Sequence, residues 1–272
     1  MRPLAALFSL LAACSFSAAA SEPLKVCLLT HNAPYSEQTS NSGFDLATAN
    51  AVAAEMQRPL EVVWVNNATK VVELEDSDFP ARKLQKGVCD VLFSIPGPAR
   101  DSLRETPSLA LGAPYYGASF QMYGAAGETR RELRQLRDVP VAVQAATVGA
   151  FALRLVGAKI KTCLSPEEVL RRAASHEAEM ALVWGPAAGA VLKGQRDLSI
   201  SPVAGYEAPA ALAWNEHAAT RGKDEALRSA IDAALAKLTS SGRLLQLATE
   251  AGIPWHAPFA KTYSLGEMNN LR

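Results

Sequence analysis

Apolar runs of strand length alternate with apolar stripes of helical spacing along most of this chain. Residues 24–30 form a continuous apolar run, and residues 31–42 follow as a loop carrying Asn32, Pro34 and Tyr35. Ala49, Val52, Ala53 and Met56 then recur at helical spacing until Pro59 ends the stripe. Residues 60–65 read as a second strand, 79–86 as a short amphipathic helix closed by Gly87, and 88–95 as a third strand. The same logic repeats with a strand over 139–144, a helix from Thr147 to about Val156 with Gly157 behind it, and a strand over 159–163. Ser165-Pro166-Glu167-Glu168 is a helix start, with Ser165 as cap, Pro166 in the first turn and Glu168 as the reciprocal acceptor. A strand over 180–184, a short helix from Pro186, strands over 198–203 and 209–214, and helices over 224–238 and 242–251 complete the series. Such alternation predicts an α/β fold with mostly parallel sheets and helices on both faces.

The composition softens twice, over residues 112–127 and 204–211, which are rich in small residues. Read as two hinge crossovers, these segments divide the chain into a discontinuous first lobe, 21–117 with 205–272, and an inserted second lobe, 118–204. No solenoid-period repeat and no low-complexity linker interrupts the pattern.

With 272 residues, 49% of them apolar, the chain is long enough to bury a real core. Its 27 basic residues balance 27 acidic ones, so no global field draws it to nucleic acid or an anionic membrane. Arg2, the apolar run over 4–13 and Ala18-Ala19-Ala20 make a secretory signal pattern, with cleavage expected after Ala20 and a soluble periplasmic product. The alternative is Leu11-Ala12-Ala13-Cys14, a lipobox-like segment that would leave an acylated Cys14. Removing residues 1–20 leaves Cys27, Cys89 and Cys163, an odd number in a compartment that permits disulfides. Neither CxxC spacing nor a Cys/His cluster points to a metal, and no cofactor is expected.

The order of short motifs resembles the type II periplasmic solute-binding proteins of the amino-acid class, family 3. The carrying residues are the Asn32/Pro34/Tyr35 loop, Gly43-Phe44-Asp45-Leu46, Cys89-Asp90-Val91, Gly97-Pro98-Ala99-Arg100, Ala113-Pro114-Tyr115-Tyr116, Val141-Ala142-Val143-Gln144 and Ala146-Thr147. The resemblance implies two α/β lobes that close on a small ligand by hinge motion. Within that class the likeness is greatest to accessory binding proteins found with quinoprotein methanol or alcohol dehydrogenases. It rests on Lys25-Val26-Cys27, residues 86–91 and, above all, Leu182-Val183-Trp184-Gly185-Pro186-Ala187-Ala188-Gly189. Phe44-Asp45-Leu46 is closer to the ordinary transporter class, and residues 66–78 match neither. In the implied fold the strands holding Cys27 and Cys89 are neighbours, which makes this pair the preferred bridge; the alternative is three small buried cysteines.

The resemblance also nominates site residues. Arg100 stands where amino-acid binders pair the ligand carboxylate through a bidentate fork, although Gly97 replaces the usual hydroxyl three positions earlier. Thr147, at a strand-to-helix junction, is a helix cap that also places free amides where an anion could sit. Trp184 replaces the acidic residue that holds an amino acid's ammonium group, and offers a flat apolar floor with one donor instead. Tyr35 and Tyr116 are candidate aromatic walls, and Asp45 reads as a helix-dipole partner. With half of the amino-acid receptor missing, a zwitterion is a poor fit. The sequence points to a non-catalytic accessory, maturation or docking factor for a periplasmic PQQ-dependent alcohol dehydrogenase or its cytochrome c. The alternatives are an ABC-transporter receptor for a small carboxylate or amino-acid-like solute, and a small-molecule lyase or dehydratase on the same fold. Against catalysis, His31, His176, His217 and His256 lie in separate segments, with only Glu37 near His31 as an acid–base partner. Residues 185–189 lack the lysine and hydroxyl of a phosphate-binding loop.

Overall fold

The computed structural model describes residues 21–67, 79–97, 108–195, 197–264, 268 and 271. The chain is a mixed α/β protein built on two sheets. β1 (Leu24–Leu29) is followed by a small ribbon of β2 (His31–Asn32) and β3 (Ser36–Glu37), helix α1 (Phe44–Glu55) and β4 (Leu60–Val65), which pairs in parallel with β1. Helix α2 (Pro80–Gln85) leads through Val91, bridged in parallel to Val26, into β5 (Leu92–Gly97). β6 (Leu109–Gly124), β7 (Pro140–Gln144), α3 (Val148–Val156), β8 (Lys159–Cys163), α4 (Pro166–Ala174), β9 (Met180–Trp184) and α5 (Gly185–Gly194) follow. The chain closes with β10 (Ser201–Pro202), β11 (Ala213–Arg221), α6 (Glu225–Ser240) and α7 (Arg243–Ala251).

The larger sheet runs in the order β5-β11-β6-β9-β7-β8, with β10 also on β6. Parallel pairs β7–β8 and β7–β9 lie at one end, and antiparallel pairs along β5, β11, β6 and β9 make the middle. β6 is the shared element. Its first part, from Leu109 to Ser119, pairs with β11, and its remainder, from Phe120 to Gly124, pairs with β9. The glycine-rich stretch expected as a soft crossing is thus one continuous strand. Its small residues serve close packing: a Cβ on Gly117 would strike the Phe259 ring, and the strand's own Phe120 lies where a Cβ on Gly149 of α3 would stand.

Two buried clusters flank the β1–β4 region, one against α1, α6 and α7 around Phe44, Val52, Leu235 and Leu247, the other around Leu84 and the Cys27–Cys89 disulfide. Two more flank the second lobe's strands, around Leu153 and Leu182 on one side and Leu170 and Val183 on the other. Helices therefore cover both faces. The expected disulfide joins residues 62 apart, and Cys163 is free and buried.

Local signals held at the helix ends. Thr147 accepts a bond from the Ala150 amide, Gly157 takes the left-handed conformation that closes α3, and Ser165 caps α4 with Pro166 in its first turn. Glu168 accepts from the Leu164 amide at 2.8 Å, one residue before the reciprocal position expected. Three strand readings changed. Residues 198–203 keep only Ser201–Pro202 as strand, and residues 209–214 become a 3-10 turn, Ala210–Leu212, before β11. β11 runs on through Asn215, Glu216 and His217, because these polar side chains are buried and their polarity hides a strand that lies in the middle of the sheet. The third change is the run over 88–95, in which continuous strand begins only at Leu92.

After α7 the chain doubles back across β6 and β11. Gly117 donates to the His256 carbonyl (2.9 Å), Tyr263 donates to Ala213 (2.8 Å), and the Asn215 amide side chain brackets the Phe259 backbone at 2.7 and 3.0 Å. Met268 and Leu271 pack into the second lobe's cluster with Leu153 and Leu182.

Candidate functional site

The carboxyl end of β9 delivers Trp184 to the junction between lobes. Its ring packs against both the Phe44 cluster and the Leu182 cluster, with edge contacts to Phe120 at 5.6 Å and Trp214 at 5.4 Å. Trp214 in turn stacks on Tyr263 at 5.3 Å. Across the junction the Trp184 indole N–H donates to the Tyr35 hydroxyl at 3.2 Å. Tyr35 comes from the 31–42 loop and packs on the Phe44 cluster, so this bond ties the first lobe directly to the second.

Behind Tyr35 the polar chain continues inward. Tyr116 hydrogen-bonds Tyr35 and shares Ser94, whose hydroxyl lies 3.2 Å from both Tyr115 and Tyr116 and donates to Asp45 Oδ1 at 2.5 Å. Ser94 sits at φ 49°, a left-handed backbone that a serine adopts only when its surroundings impose it; the Tyr115 hydroxyl accepts its amide at 2.9 Å. Glu216, on β11 beside Tyr116, is 1% exposed and its Oε2 has no hydrogen-bond partner. Neither Asp45 nor Glu216 has an ion-pair partner among the described residues. Burial pushes Asp45 up to about 7 against the pull of the Ser94 bond. Burial, and then the charge of Asp45, pushes Glu216 up to about 8. Burial raises the Tyr35, Tyr115 and Tyr116 phenols as well, with Glu216 adding to the effect on each.

Of the residues nominated by sequence, Tyr35 and Trp184 touch. Tyr116 is fully buried between Phe44 (5.2 Å) and Trp255 (5.7 Å, stacked), one bond from Tyr35. Thr147 is engaged as a cap, donating to Gln144 O and accepting from Ala150; α3 reaches the same region through Gly149, which abuts Phe120. Arg100 lies outside the described residues. His31 and Glu37 do pair, at 3.0 Å, but on the exposed β2–β3 ribbon. Sequence reasoning missed Ser94 and Glu216; Asp45 does stand in the first turn of α1, where it makes no cap bond, and its carboxylate is bonded by Ser94 in the buried cluster. The available signal was the polar triplet Asn215-Glu216-His217 set between the apolar stretches 211–214 and 218–219.

Two cavities border this region. One of about 510 Å³ lies between the 33–43 loop, α1, α5 and α7, where the Lys193 amine bonds the Glu250 carbonyl. A second, of about 160 Å³, opens at the carboxyl end of β1 beside the first residues of β5, Leu92 to Ile95, with Asp45 and Ser94 in its wall. In open α/β sheets that is the edge at which ligands bind.

Solved structures share this architecture. MxaJ from Methlophaga aminisulfidivorans MPT aligns at 22% identity and TM-score 0.66, over 85% of this chain and 99% of that one. The unliganded, open L-cystine solute receptor of Neisseria gonorrhoeae aligns at 16% and 0.70, over 90% and 95%. A substrate-binding domain of a putative amino acid ABC transporter from Streptococcus pneumoniae aligns at 15% and 0.65, over 85% and 99%. The chain has the two-lobed fold of type II periplasmic solute-binding proteins. No family model matches the sequence, and no curated protein sequence matches it. At these identities the two-lobed fold is what the likeness carries; the Neisseria gonorrhoeae and Streptococcus pneumoniae proteins are themselves described as a solute receptor and a substrate-binding domain. No helix among the described residues is long and apolar enough to cross a membrane.

Proposed function

We propose that this chain is a non-catalytic periplasmic binding protein, exported by the signal of residues 1–20, that serves as an accessory or docking factor for a periplasmic quinoprotein alcohol dehydrogenase. Its lobes are residues 21–117 with 205–272, and 118–204. Tyr35 and Trp184, with Tyr116 behind them and Thr147 at the second lobe's lip, form the interlobe site, and Arg100 remains the sequence's candidate for a ligand carboxylate. The observation that carries this reading is the Tyr35–Trp184 hydrogen bond. Where an amino-acid receptor needs a carboxylate facing an open groove, the chain places an indole that bonds to the opposite lobe and packs among Phe120 and Trp214. A junction filled by the protein's own aromatic side chains suits a scaffold that presents a fixed surface to a partner protein. The likeness of the 182–189 segment to dehydrogenase-linked binding proteins and the structural likeness to MxaJ support the same reading.

The test is association of the mature chain with a purified PQQ-dependent alcohol dehydrogenase from the same organism, by co-elution and calorimetry. A saturable complex is expected, together with dehydrogenase and cytochrome genes beside this one. Absence of a complex, combined with a permease and ATPase as genetic neighbours, would overturn the proposal in favour of a transporter receptor.

A further inference from the structure

The 160 Å³ cavity at the carboxyl end of β1 and the start of β5 has a composition of its own. Leu28, Leu92 and Phe93 supply apolar wall, Asn32 and Ser94 supply polar atoms, and the carboxylate of Asp45, itself 5% exposed, is the one charged group lining it. Only Oδ1 of Asp45 is engaged, by Ser94; the second oxygen accepts no hydrogen bond among the described residues. Glu216, within electrostatic reach of Asp45, adds a second buried carboxylate with an unpartnered oxygen, and among the described residues no lysine, arginine or histidine lines the cavity. Uncompensated buried carboxylates are costly unless they are protonated or paired with a cation. Ser94 is held in left-handed backbone by Tyr115 with its hydroxyl on Asp45, an arrangement that keeps the carboxylate oriented. At about 30 Å³ per water-sized group, the space admits an ion of about four or five heavy atoms. The apolar walls suit an alkyl chain better than a hydrated metal ion, which would need several more oxygen ligands.

We propose that this cavity binds a small primary alkylammonium ion, its ammonium group bonded to Asp45 and its alkyl part against Leu28, Leu92 and Phe93. This inference rests on the binding-protein reading and not on the dehydrogenase partner. The groups facing Asp45 are Ser94 from β5, Tyr115 and Tyr116 from β6, Tyr35 from the 31–42 loop and Glu216 from β11; none is a cation. Protonation of Asp45 therefore competes with the ligand, and affinity falls as the pH drops below about 7.

The experiment is calorimetric titration of the mature chain at pH 8.5 with n-propylammonium chloride, n-propanol and potassium chloride in a buffer free of amines. Saturable binding of propylammonium alone is expected, weakened about tenfold or more in Asp45→Asn, the loss a charge-assisted hydrogen bond carries, and weakened less in Ser94→Ala. No saturable binding by folded wild type, equal binding of propanol or potassium, or unchanged affinity in folded Asp45→Asn would each overturn it. Should Asp45→Asn fail to fold, an unchanged Ser94→Ala overturns it instead. The dehydrogenase complex is measured in parallel without amine, so loss of either property is seen separately.

Discussion

Replacing Glu216 by glutamine tests the buried acid pair where its consequence is largest, in the pH dependence of folding. Glu216 rises from an ordinary 4.5 in the unfolded chain to about 8 in the fold, chiefly by burial and then by the charge of Asp45. An acid raised in this way is protonated in the folded state at pH values where the unfolded chain has released the proton. Stability is therefore full below about 4.5 and falls as pH rises through the interval to about 8. At 1.36 kcal/mol for each pH step of one, the fall is roughly 5 kcal/mol. Asp45, raised to about 7, loses stability over an overlapping interval, and the pair releases its protons as a coupled system. Glutamine keeps the shape and cannot ionise. Urea unfolding of wild type and Glu216→Gln, from pH 4.5 to pH 9 in amine-free buffer, gives a difference curve in which exposed groups cancel. The variant is expected to gain on wild type with rising pH, by several kcal/mol at pH 9. Parallel curves over the whole range would refute the claim that this carboxylate is buried without a counter-charge.

Three further outcomes follow from the packing. Replacing Cys27 and Cys89 together by serine opens a loop of 62 residues; chain entropy assigns the bridge about 4 kcal/mol, and a loss under about 1 kcal/mol on chemical unfolding would contradict its structural role. Thr147→Ala removes the cap bond to Ala150 and is expected to cost about 1 kcal/mol by the same measurement, while a stability unchanged would show the cap to be dispensable. Gly189→Ala sets a methyl group into the Gly252 carbonyl, and the overpacking between α5 and the end of α7 should cost about 1–3 kcal/mol; an unchanged thermal midpoint would mean that these segments are not in close contact.

The parts of the fold that follow from local chemistry were legible. Ser165-Pro166 and Thr147 announce helix starts, Gly157 a helix end, and the apolar runs over 24–30, 60–65 and 180–184 announce strands, because each depends on contacts within a few residues. The fold implied by the order of short motifs sets the strands of Cys27 and Cys89 side by side, and the bridge preferred on that ground is formed. The small residues over 112–127 mark a candidate crossing without revealing that β6 runs through it as one strand: Gly117 is small so that the returning chain at Phe259 can lie against it, a contact 142 residues away that periodicity cannot register. Asn215 and Glu216 broke the apolar pattern of β11 for a similar reason: Asn215 is satisfied by the Phe259 backbone, and Glu216 is not satisfied at all. The place of Asp45 in the first turn of α1 is legible locally, whereas its hydrogen-bond partner Ser94 lies 49 residues on.

The distribution of charge at the junction bears on how a small ion would affect the lobes. Among the described residues the buried carboxylates near the junction, Asp45 and Glu216, lie on α1 and β11, and β9 contributes the neutral Trp184. An ion held in the β1–β5 cavity therefore draws its electrostatic stabilisation from one lobe, unlike a ligand gripped by opposite charges on two. Such an ion shifts lobe closure only by the difference between its affinities for the two states. The cavity touches Asn32 and Ser36, and Tyr35 lies between them on the same loop with its hydroxyl on the Trp184 indole. Any difference in affinity must consequently pass through the position of that loop, and Trp184→Phe, which keeps the ring and removes the donor, should leave the affinity for propylammonium equal in both lobe arrangements while loosening the junction by about 1 kcal/mol. If Trp184→Phe instead abolished ion binding while Tyr35→Phe, which breaks the same bond from the loop side, left it intact, the ligand would have to contact the second lobe, and the one-sided arrangement argued from Asp45 and Glu216 would be wrong.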